Sequence, residues 1–460
     1  MSEIKPKGIS TSLVAVAVIV ALIIGAVIGY FAKPTPPTEV KTETVIKTET
    51  KTIEKTVTKT VVGKPFEGIT ITVLTTAPCV TAELDKEFEY LTGAKVEVTT
   101  VAWPDLHPKL VTALASKSPH PDVFIMPDEW VYEFGKAGWL LPVDEYLTPE
   151  EKADLLPIAV EMYSYEGHLT SFVFLIMPHI MFYNEKILSD AGFRPATTWD
   201  EFVAQCKTLQ EKGVVTYGIT WPLLSGDDIS FECWASQFLS RGGTFFDEKG
   251  EPIFNNEIGV EALQFLIDSI YTLKIASPTS VEVEKMACLH PFMAGENAYN
   301  WNWQFMYPIT KDPSTSKIVE YSKYCLIPSK PGAKYTGFIA GGAYSINPYS
   351  KNKEVAIAYA KFITSKENSL KLLKEKGWLP WWGSVYEMPE AKEIEPQLPI
   401  ILEQLKKSFA RGWFRISWYA EFAETIRLEI SKAWLKEKTA KEALDSAVSA
   451  IKEKLKEYGR

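Results

Sequence analysis

Hydrophobic and polar positions after residue 65 change period several times, first in steps of two and then in helical steps. The segment ITITVLT alternates apolar and β-branched residues, as a half-buried strand does. The segment that ends before Gly93 places apolar residues at helical spacing, and a glycine is the usual helix stop. Strand, helix, strand, helix and strand are thus predicted over 69–75, 83–91, 94–101, 106–116 and 122–126. This order is typical of an α/β fold with a parallel sheet between helices.

The predicted sheet gives a first location for a binding site. Ligands of open parallel sheets bind beyond the carboxyl ends of the strands. That rule places the segments TTAP (75–78) and MPDEW (126–130) at the mouth of a site. Two long apolar segments, 167–176 and 335–347, are each predicted to be either a core strand or a hinge segment that crosses between lobes.

Three helix starts are marked by a threonine with a glutamate three residues later, which is the capping-box pattern. The threonines are Thr148, Thr198 and Thr439. The last of them opens an amphipathic pattern with one apolar side. That side is predicted to be buried and consists of Ala443, Leu444, Ala447, Val448, Ile451 and Leu455.

The amino-terminal region has a different pattern, because Ile9–Ala32 is a run of 24 residues without an ionisable side chain. As a helix it would extend about 36 Å, enough to cross a hydrocarbon core of about 30 Å. Lys5 and Lys7 precede the run and favour a cytoplasmic amino terminus. We therefore predict that residues 1–33 hold an N-terminal transmembrane helix, a single-pass anchor in the cell membrane with the remaining chain outside.

Residues 34–65 form the next compositional block, in which Lys-Thr and Glu-Thr steps recur among scattered Val and Ile. Such a tract buries too little apolar surface to offset the entropy of ordering it. The block is predicted to be a threonine-rich stalk, an extended linker between the membrane and a folded region.

Composition limits the function classes. Nearly four hundred residues follow the stalk, more than one hydrophobic core usually serves, so two lobes are expected. The net charge of −9 gives no basic footprint for nucleic acid. The five cysteines have no metal-site spacing and leave at least one thiol unpaired whatever disulfides form; they are Cys79, Cys206, Cys233, Cys288 and Cys325.

Motifs of catalysis and of cofactor binding are missing from the sequence, which has no P-loop, no GxGxxG after a strand, no GxSxG and no HExxH. The five histidines are scattered without ligand spacing and are interpreted as structural or exposed. Asp128 and Glu129 are adjacent, so on a strand they would face opposite ways and make a poor acid–base pair. We predict a protein that is not an enzyme and that needs neither a cofactor nor a metal.

Several segments, in order, resemble the family 1 extracellular solute-binding proteins of ABC importers, which include the maltodextrin-binding proteins. They are FEYLTGAKVEV, LVTALASKSPHPDVFIM, GWLLPVDEYL, IMFYNEKIL, FMAGENAYNWNWQF and GGAYSINPYSKNKEVAIAYAKFITSKE. The resemblance covers about residues 68–455. It implies a two-lobe periplasmic-binding-protein-like fold, with a ligand cleft and a hinge between the lobes. Lobe 1 is predicted over 66–174 and 341–378, and lobe 2 over 175–340 and 379–460.

The resemblance also implies a function and partners. A small-molecule ligand, with a carbohydrate and especially an oligosaccharide as the first candidate, would be captured by cleft closure and delivered to an ABC permease. Two alternatives remain open. The same fold could bind a peptide, a polyamine, a metal ion or an organic anion instead, or the protein could be a structural subunit of a pilin-like surface filament.

The amino terminus carries a second resemblance. Lys7-Gly8-Ile9-Ser10-Thr11 before an apolar helix is similar to the pilin-like signals of archaeal surface proteins, which are cut after the glycine. The resemblance implies processing between Gly8 and Ile9 and retention of the helix as a tether. Filament-forming pilins carry a glutamate a few residues later, where this chain has Leu13, and this departure argues against the filament alternative.

Candidate ligand contacts follow from the chemistry of sugars, whose apolar ring faces suit aromatic side chains and whose hydroxyls suit planar polar groups. Adjacent tryptophans on a turn are not expected to be buried together, and a strand is not expected to bury both of its faces. Four segments combine both chemistries and supply Asp128, Glu129, Trp130, Trp301, Trp303, Trp381, Trp382, Trp413, Arg415 and Trp418. Trp221 is predicted at the rim of the second lobe, and Gly342 in a loop whose amides approach the ligand.

Overall fold

A mixed β-sheet lies at the centre of the part of the chain that the computed structural model describes, residues 64–458. Its first strands along the chain are β1 (Thr70–Thr76), β2 (Lys95–Val101) and β3 (Val123–Pro127). A separate hairpin follows, β4 (Ser164–Tyr165) with β5 (His168–Leu169). The later strands are β6 (Phe172–Asn184), β7 (Tyr299–Trp303), β8 (Ser322–Cys325), β9 (Gly337–Ile346) and β10 (Ser408–Ala410).

Helices surround this sheet along the whole described region. Those before residue 230 are α1 (Ala82–Thr92), α2 (Trp103–Ala115), α3 (Val131–Lys136), α4 (Pro149–Asp154), α5 (Pro157–Met162), α6 (Glu185–Asp190), α7 (Trp199–Glu211) and α8 (Ile229–Leu239). Those after it are α9 (Glu257–Tyr271), α10 (Leu289–Met293), α11 (Tyr307–Thr310), α12 (Lys353–Ile363), α13 (Lys366–Lys376), α14 (Pro389–Ile394), α15 (Leu398–Lys406), α16 (Tyr419–Trp434) and α17 (Ala440–Glu457).

The predicted parallel sheet is confirmed. β1 pairs in parallel with β2 on one side and with β3 on the other. Gly93 ends α1 in the left-handed conformation, with φ of +77°, and its amide bonds back to Glu89. Because β1 and β3 run parallel, their carboxyl ends lie at the same edge of the sheet, where ligands of parallel sheets bind.

The two long apolar segments of the sequence both form core strands, and together they join two halves of the sheet. The strand order is β2-β1-β3-β9-β6-β7, with β10 beside β9 and β8 beside β6. The first part of β6 pairs antiparallel with β9, and its second part pairs with β7 and β8. β9 in turn pairs with β10 at its start and with β3 at its end. Both strands are therefore shared by the two half-sheets.

Helix capping follows the sequence closely. Thr148 and Thr439 each form the complete capping box with the glutamate three residues later. Thr198 caps the amide of Glu201, but the Glu201 carboxylate bonds to Thr197 instead, so that box is only half formed. The predicted buried side of α17 is confirmed residue by residue.

All five cysteines are free thiols in the structure, so no disulfide contributes to the fold of these residues. Burial raises the pKa of Cys206 and Cys288 above the ordinary thiol value, the latter to about 12. These thiols therefore stay protonated, and they act as small apolar side chains.

The predictions for residues 1–63 lie outside the described residues. They comprise the anchor, processing between Gly8 and Ile9, and nearly all of the stalk. From Pro65 onward the chain forms one compact unit. Between residues 64 and 458 no helix is both long and apolar enough to span a membrane.

Candidate functional site

The carboxyl end of β3 continues directly into a short 3₁₀ turn, Asp128–Trp130, that carries two carboxylates. Asp128 is fully buried. Its Oδ1 accepts a hydrogen bond of 3.1 Å from the amide of Gly341 in the neighbouring strand β9. The position of this side chain is thus fixed by the sheet.

Arg411 provides the positive charge at this end of the sheet. It follows β10 in a second 3₁₀ turn, Arg411–Phe414. Its Nη2 and Nε donate to the two oxygens of Asp128, at 2.6 and 3.2 Å. Its Nη1 lies 2.6 Å from the carboxylate of Glu129. One guanidinium therefore holds both adjacent carboxylates, the first of them in bidentate geometry.

Two further polar side chains, one from helix α8 and one from strand β6, complete the arrangement. Glu232 on α8 lies 3.4 Å from Nη1 of Arg411. The carboxylate of Glu232 also lies 3.3 Å from Nε2 of His179, a buried residue of β6. We call Asp128, Glu129, His179, Glu232 and Arg411 the Arg411 cluster. It brings together five side chains from segments that are far apart in the sequence.

Burial shifts the protonation of the cluster. It raises the pKa of Glu129 to about 7 and that of Glu232 to about 8, although the charge of Arg411 opposes both shifts. Burial lowers the pKa of His179 well below its ordinary value, and the charge of Arg411 adds to that shift. For Arg411 burial alone lowers the pKa, but the carboxylates of Asp128 and Glu129 outweigh it and hold the pKa well above the ordinary value. The arginine is charged and the histidine neutral near pH 7.

These shifts predict how stability depends on pH. The folded protein keeps protons on Glu129 and Glu232 that the unfolded chain loses near the ordinary value of 4.5. The free energy of unfolding should therefore fall as pH rises from about 4.5 to about 8. Glu232→Gln cannot lose a proton, so its decline with pH should be shallower, as measured by urea unfolding at a series of pH values.

The matched control for this prediction is Glu403→Gln, at an exposed glutamate whose pKa is lowered by Lys406. Its stability profile should keep the decline of the parent protein between about pH 5 and 8. A Glu232→Gln profile parallel to that of the parent would contradict the assigned burial of Glu232.

Aromatic side chains enclose the cluster. The Tyr419 ring centre lies 5.9 Å from the guanidinium carbon of Arg411, within the range of a cation–π contact. The His179 ring contacts two indoles, with centre-to-centre distances of 4.2 Å to Trp301 and 3.6 Å to Trp303. Carboxylate, guanidinium and aromatic groups at one place are the groups that bind hydroxylated ligands.

The structure brings Asp128 and Glu129 together, and here one prediction is wrong. The two residues were expected to face opposite ways on a strand. Because they lie in a 3₁₀ turn, both carboxylates reach the same guanidinium. Trp130 of the same turn instead packs with His107 and stacks on Phe134, at ring-centre distances of 4.9 and 6.0 Å.

Strand β7 buries every one of its residues, so the expectation that one face would stay exposed is wrong. The fully buried Trp301 donates its indole N–H to Ser236 of α8, at 3.1 Å. On the other face, the side chain of Asn302 donates to the carbonyl of Lys285. Both faces are covered by chain, and Trp303 is 7% exposed.

Trp381 and Trp382 are also both buried, contrary to the expectation for neighbours on a turn. Their indole N–H groups share one acceptor, the carbonyl of Thr364 at the end of α12, at 3.2 and 2.6 Å. Trp381 also packs edge-on against Phe172 of β6. Their contacts are those of core residues beside the sheet.

The segment after the Arg411 turn places its predicted residues in three different surroundings. Trp413 is half-buried against Tyr335 and Phe409. Arg415 is exposed and adopts a left-handed conformation with φ of +50°. Trp418 stacks on Tyr458 at 5.2 Å.

Trp221 and Gly342 lie inside the fold. The rim position predicted for Trp221 is wrong, because its side chain is fully buried and its indole donates to Ser269 at 3.0 Å. Gly342 is part of β9 and not of a loop, paired with Pro127. A Cβ at Gly342 would meet the ring of Phe174 at 2.8 Å, so any larger residue would force that ring to move.

Sequence reasoning missed three members of the cluster, namely Arg411, Glu232 and His179. Arg411 stands in the same RGWFRISWY segment as Arg415, four residues earlier, and the sequence offers no reason to prefer it. Glu232 lies on a helix in which every residue is buried, so no polar face marks it. No ligand spacing or neighbouring motif marks His179 in the sequence.

Comparison with protein families gives one match that covers most of the described chain. A model described as bacterial extracellular solute-binding protein matches residues 80–369. Among curated proteins, a maltotriose-binding protein of Pyrococcus abyssi is 28% identical over 302 residues. That alignment covers 65% of this chain and 62% of the relative, somewhat less than two thirds of its length.

Two further comparisons bear on fold and on ligand diversity. A probable amino-acid ABC transporter periplasmic-binding protein of Sinorhizobium fredii is 23% identical, over 72% of this chain and 75% of the relative. The structure of maltose-bound MalE3 from T. maritima superimposes with a TM-score of 0.75 and 23% identity, over 84% of this chain and 99% of that one. The latter comparison shows the two-lobe α/β binding-protein fold.

Proposed function

Because the chain belongs to the bacterial extracellular solute-binding protein family, we propose that it captures a carbohydrate and delivers it to an ABC importer. An oligosaccharide is the first candidate, supported by the names of the maltotriose-binding relative and the maltose-bound structure. The observation that carries the proposal is the Arg411 cluster, in which polar groups from the turns after β3 and β10, from β6 and from α8 converge among aromatic rings.

The proposed mechanism is closure of two lobes around the ligand. Lobe 1 comprises residues 66–174 and 341–378, and lobe 2 comprises residues 175–340 and 379–460. The sharing of β6 and β9 between the half-sheets supports a hinge at this place. A ligand that contacts both lobes only when they are closed shifts the population to the closed form.

Within the site, we assign hydroxyl binding to the carboxylates of Asp128 and Glu129. The Glu129 side chain keeps 14% of its surface exposed, whereas that of Asp128 is wholly buried, so Glu129 is the first contact. Trp303, Trp413 and Trp418 retain some exposure and are assigned as aromatic surfaces for the sugar rings.

The amino terminus completes the proposal. Residues 9–32 would anchor the protein as a single-pass segment after cleavage behind Gly8, with the lobes extracellular. Amino-terminal sequencing of the membrane-bound protein tests this part. An amino terminus at Ile9 supports it, and recovery of the whole protein from the medium would oppose it.

The ligand class is tested by isothermal titration calorimetry of the full chain in detergent with maltodextrins, polyols, amino acids and short peptides. We expect saturable binding of at least one carbohydrate. At about pH 8, where the Glu129 carboxylate is mostly ionised, Glu129→Ala should weaken that binding at least about tenfold, because a hydrogen bond to a charged group contributes about 1.5–3 kcal/mol. Glu403→Ala, at the exposed glutamate paired with Lys406, is the matched control and should bind as the parent does.

Two contrary results would distinguish an error in the ligand class from an error in the position of the site. Saturable binding of amino acids or peptides with no response to any carbohydrate would overturn the ligand class and leave the fold untouched. Carbohydrate binding that is unchanged in Glu129→Ala would overturn the position assigned to the site.

A further inference from the structure

The charges of the Arg411 cluster do not balance. Three carboxylates, those of Asp128, Glu129 and Glu232, surround the single guanidinium of Arg411. With all four groups ionised the cluster would carry an excess of two negative charges. A buried ion pair is stable only when its charges are matched and hydrogen-bonded, so this excess is costly in the absence of a further cation.

His179 does not supply that cation. Its Nδ1 accepts the amide hydrogen of Phe338, at 3.3 Å, so the ring proton lies on Nε2. The Nε2 atom makes no hydrogen bond within the described residues, although the Glu232 carboxylate is 3.3 Å away. The neutral, fully buried Nε2–H of His179 thus lies beside the Glu232 carboxylate without forming a hydrogen bond to it, so it leaves the charge of that carboxylate uncompensated.

Other charged groups near the cluster do not correct the imbalance. Asp228 adds negative charge near both glutamates. Lys285 lies on the Glu232 side but pairs with Asp227, and His107 lies on the Glu129 side but pairs with Glu133. Burial raises the pKa of Glu129 to about 7 and that of Glu232 to about 8, so each glutamate holds a proton at slightly acidic pH and its charge needs no further cation in the free protein.

We propose that the natural ligand carries a protonated amino group, which binds between the carboxylates of Glu129 and Glu232. Both carboxylates contact the same Nη1 of Arg411, so a single ammonium group can reach both. The inference rests on the proposed function, and it narrows the carbohydrate to an amino sugar. A metal ion is the less suitable cation, since no group of three or more His, Cys, Asp or Glu side chains in the described region is arranged to hold one.

The test compares three trisaccharides by calorimetry of the full chain at about pH 6, where aliphatic amines are protonated. They are the trimer of glucosamine, its N-acetylated counterpart and maltotriose. We expect the free amine to bind at least about tenfold more tightly than both neutral sugars. Glu232→Gln should reduce this preference, and the control Glu403→Gln should retain it.

The number of protons exchanged on binding distinguishes a direct contact of Glu232 with the ligand from a purely structural role. Titrations in two buffers of different ionisation enthalpy measure the protons taken up on binding. An ammonium group replaces protons on the two glutamates, so the amine should take up about one proton fewer than a neutral sugar, or two fewer at most. In Glu232→Gln that difference should shrink.

The outcomes distinguish this inference from the proposed function. Neutral sugars that bind as tightly as the amine, with equal proton uptake, would overturn the amino group and leave carbohydrate capture in place. Binding of putrescine or spermidine with no binding of any saccharide would support the cation site and overturn the carbohydrate. Binding of calcium or magnesium with no response to amines would overturn the organic cation. The absence of binding for every one of these probes would overturn both proposals.

Discussion

Arg411→Met should destabilise the protein by about 3–5 kcal/mol, because removal of one partner of a buried ion pair leaves the other partner's charge uncompensated. Here the substitution leaves three carboxylates without their cation, and that of Asp128 has no exposed surface. The measurement is urea unfolding at about pH 7.5, with the free energy of unfolding extrapolated to water. No other described ion pair joins as many buried charges.

Lys186→Met is the control, since it breaks a pair with Asp190 in which both side chains are more than half exposed. Such a pair contributes at most about 1 kcal/mol. A second comparison uses pH, because near pH 5 Glu129 and Glu232 are protonated in the folded protein and the deficit of Arg411→Met should shrink. A loss below about 1 kcal/mol at both pH values would mean that water reaches the cluster and screens its charges.

Trp301→Ala should cost about 3–5 kcal/mol of folding free energy, the range for truncating a large aromatic side chain in a core. The indole is fully buried, donates to Ser236 and packs on His179 at 4.2 Å. Urea unfolding measures the loss. Trp301→Phe should cost less, because it retains most of the ring and gives up mainly the hydrogen bond.

Trp413→Ala is the matched control, because this indole is only half-buried against Tyr335 and Phe409. Its loss of stability should be clearly smaller. If Trp301→Ala keeps the stability of the parent and loses ligand binding, the ring is a ligand surface, as the sequence first suggested. If the protein is destabilised and binds normally when folded, the ring belongs to the core.

Helices and strands were predictable from the sequence where a single hydrophobic period dominates a segment. The alternation in 69–75 and the glycine stop at Gly93 gave a strand and a helix within one residue of their observed bounds. The capping box at Thr439 and the apolar spacing after it likewise gave the start and buried side of α17. In these cases local backbone preference and burial favour the same structure.

The site was less predictable, because its members are selected by burial and not by pattern. Tryptophan serves equally as a core residue and as a sugar surface, and Trp221 and Trp301 turned out fully buried. Arg411 and Arg415 stand four residues apart in one segment, and only the structure shows that the first is buried against Asp128 and the second is exposed. Glu232 needed the three-dimensional fold, because it lies on a helix with no exposed face.

The sharing of β6 and β9 between the half-sheets also sets the mechanics of the molecule. A rotation of one half against the other is not taken up in a loop there, since Phe172–Pro178 of β6 runs along β9 as a paired ribbon with one irregularity, between Val173 and Leu175. Such a ribbon responds as a torsion spring, by changing its twist along its length with its hydrogen bonds retained. Amides of this ribbon should therefore exchange with solvent slowly both with and without ligand. The elastic restoring force of the twisted ribbon would favour reopening of the two halves when the ligand leaves.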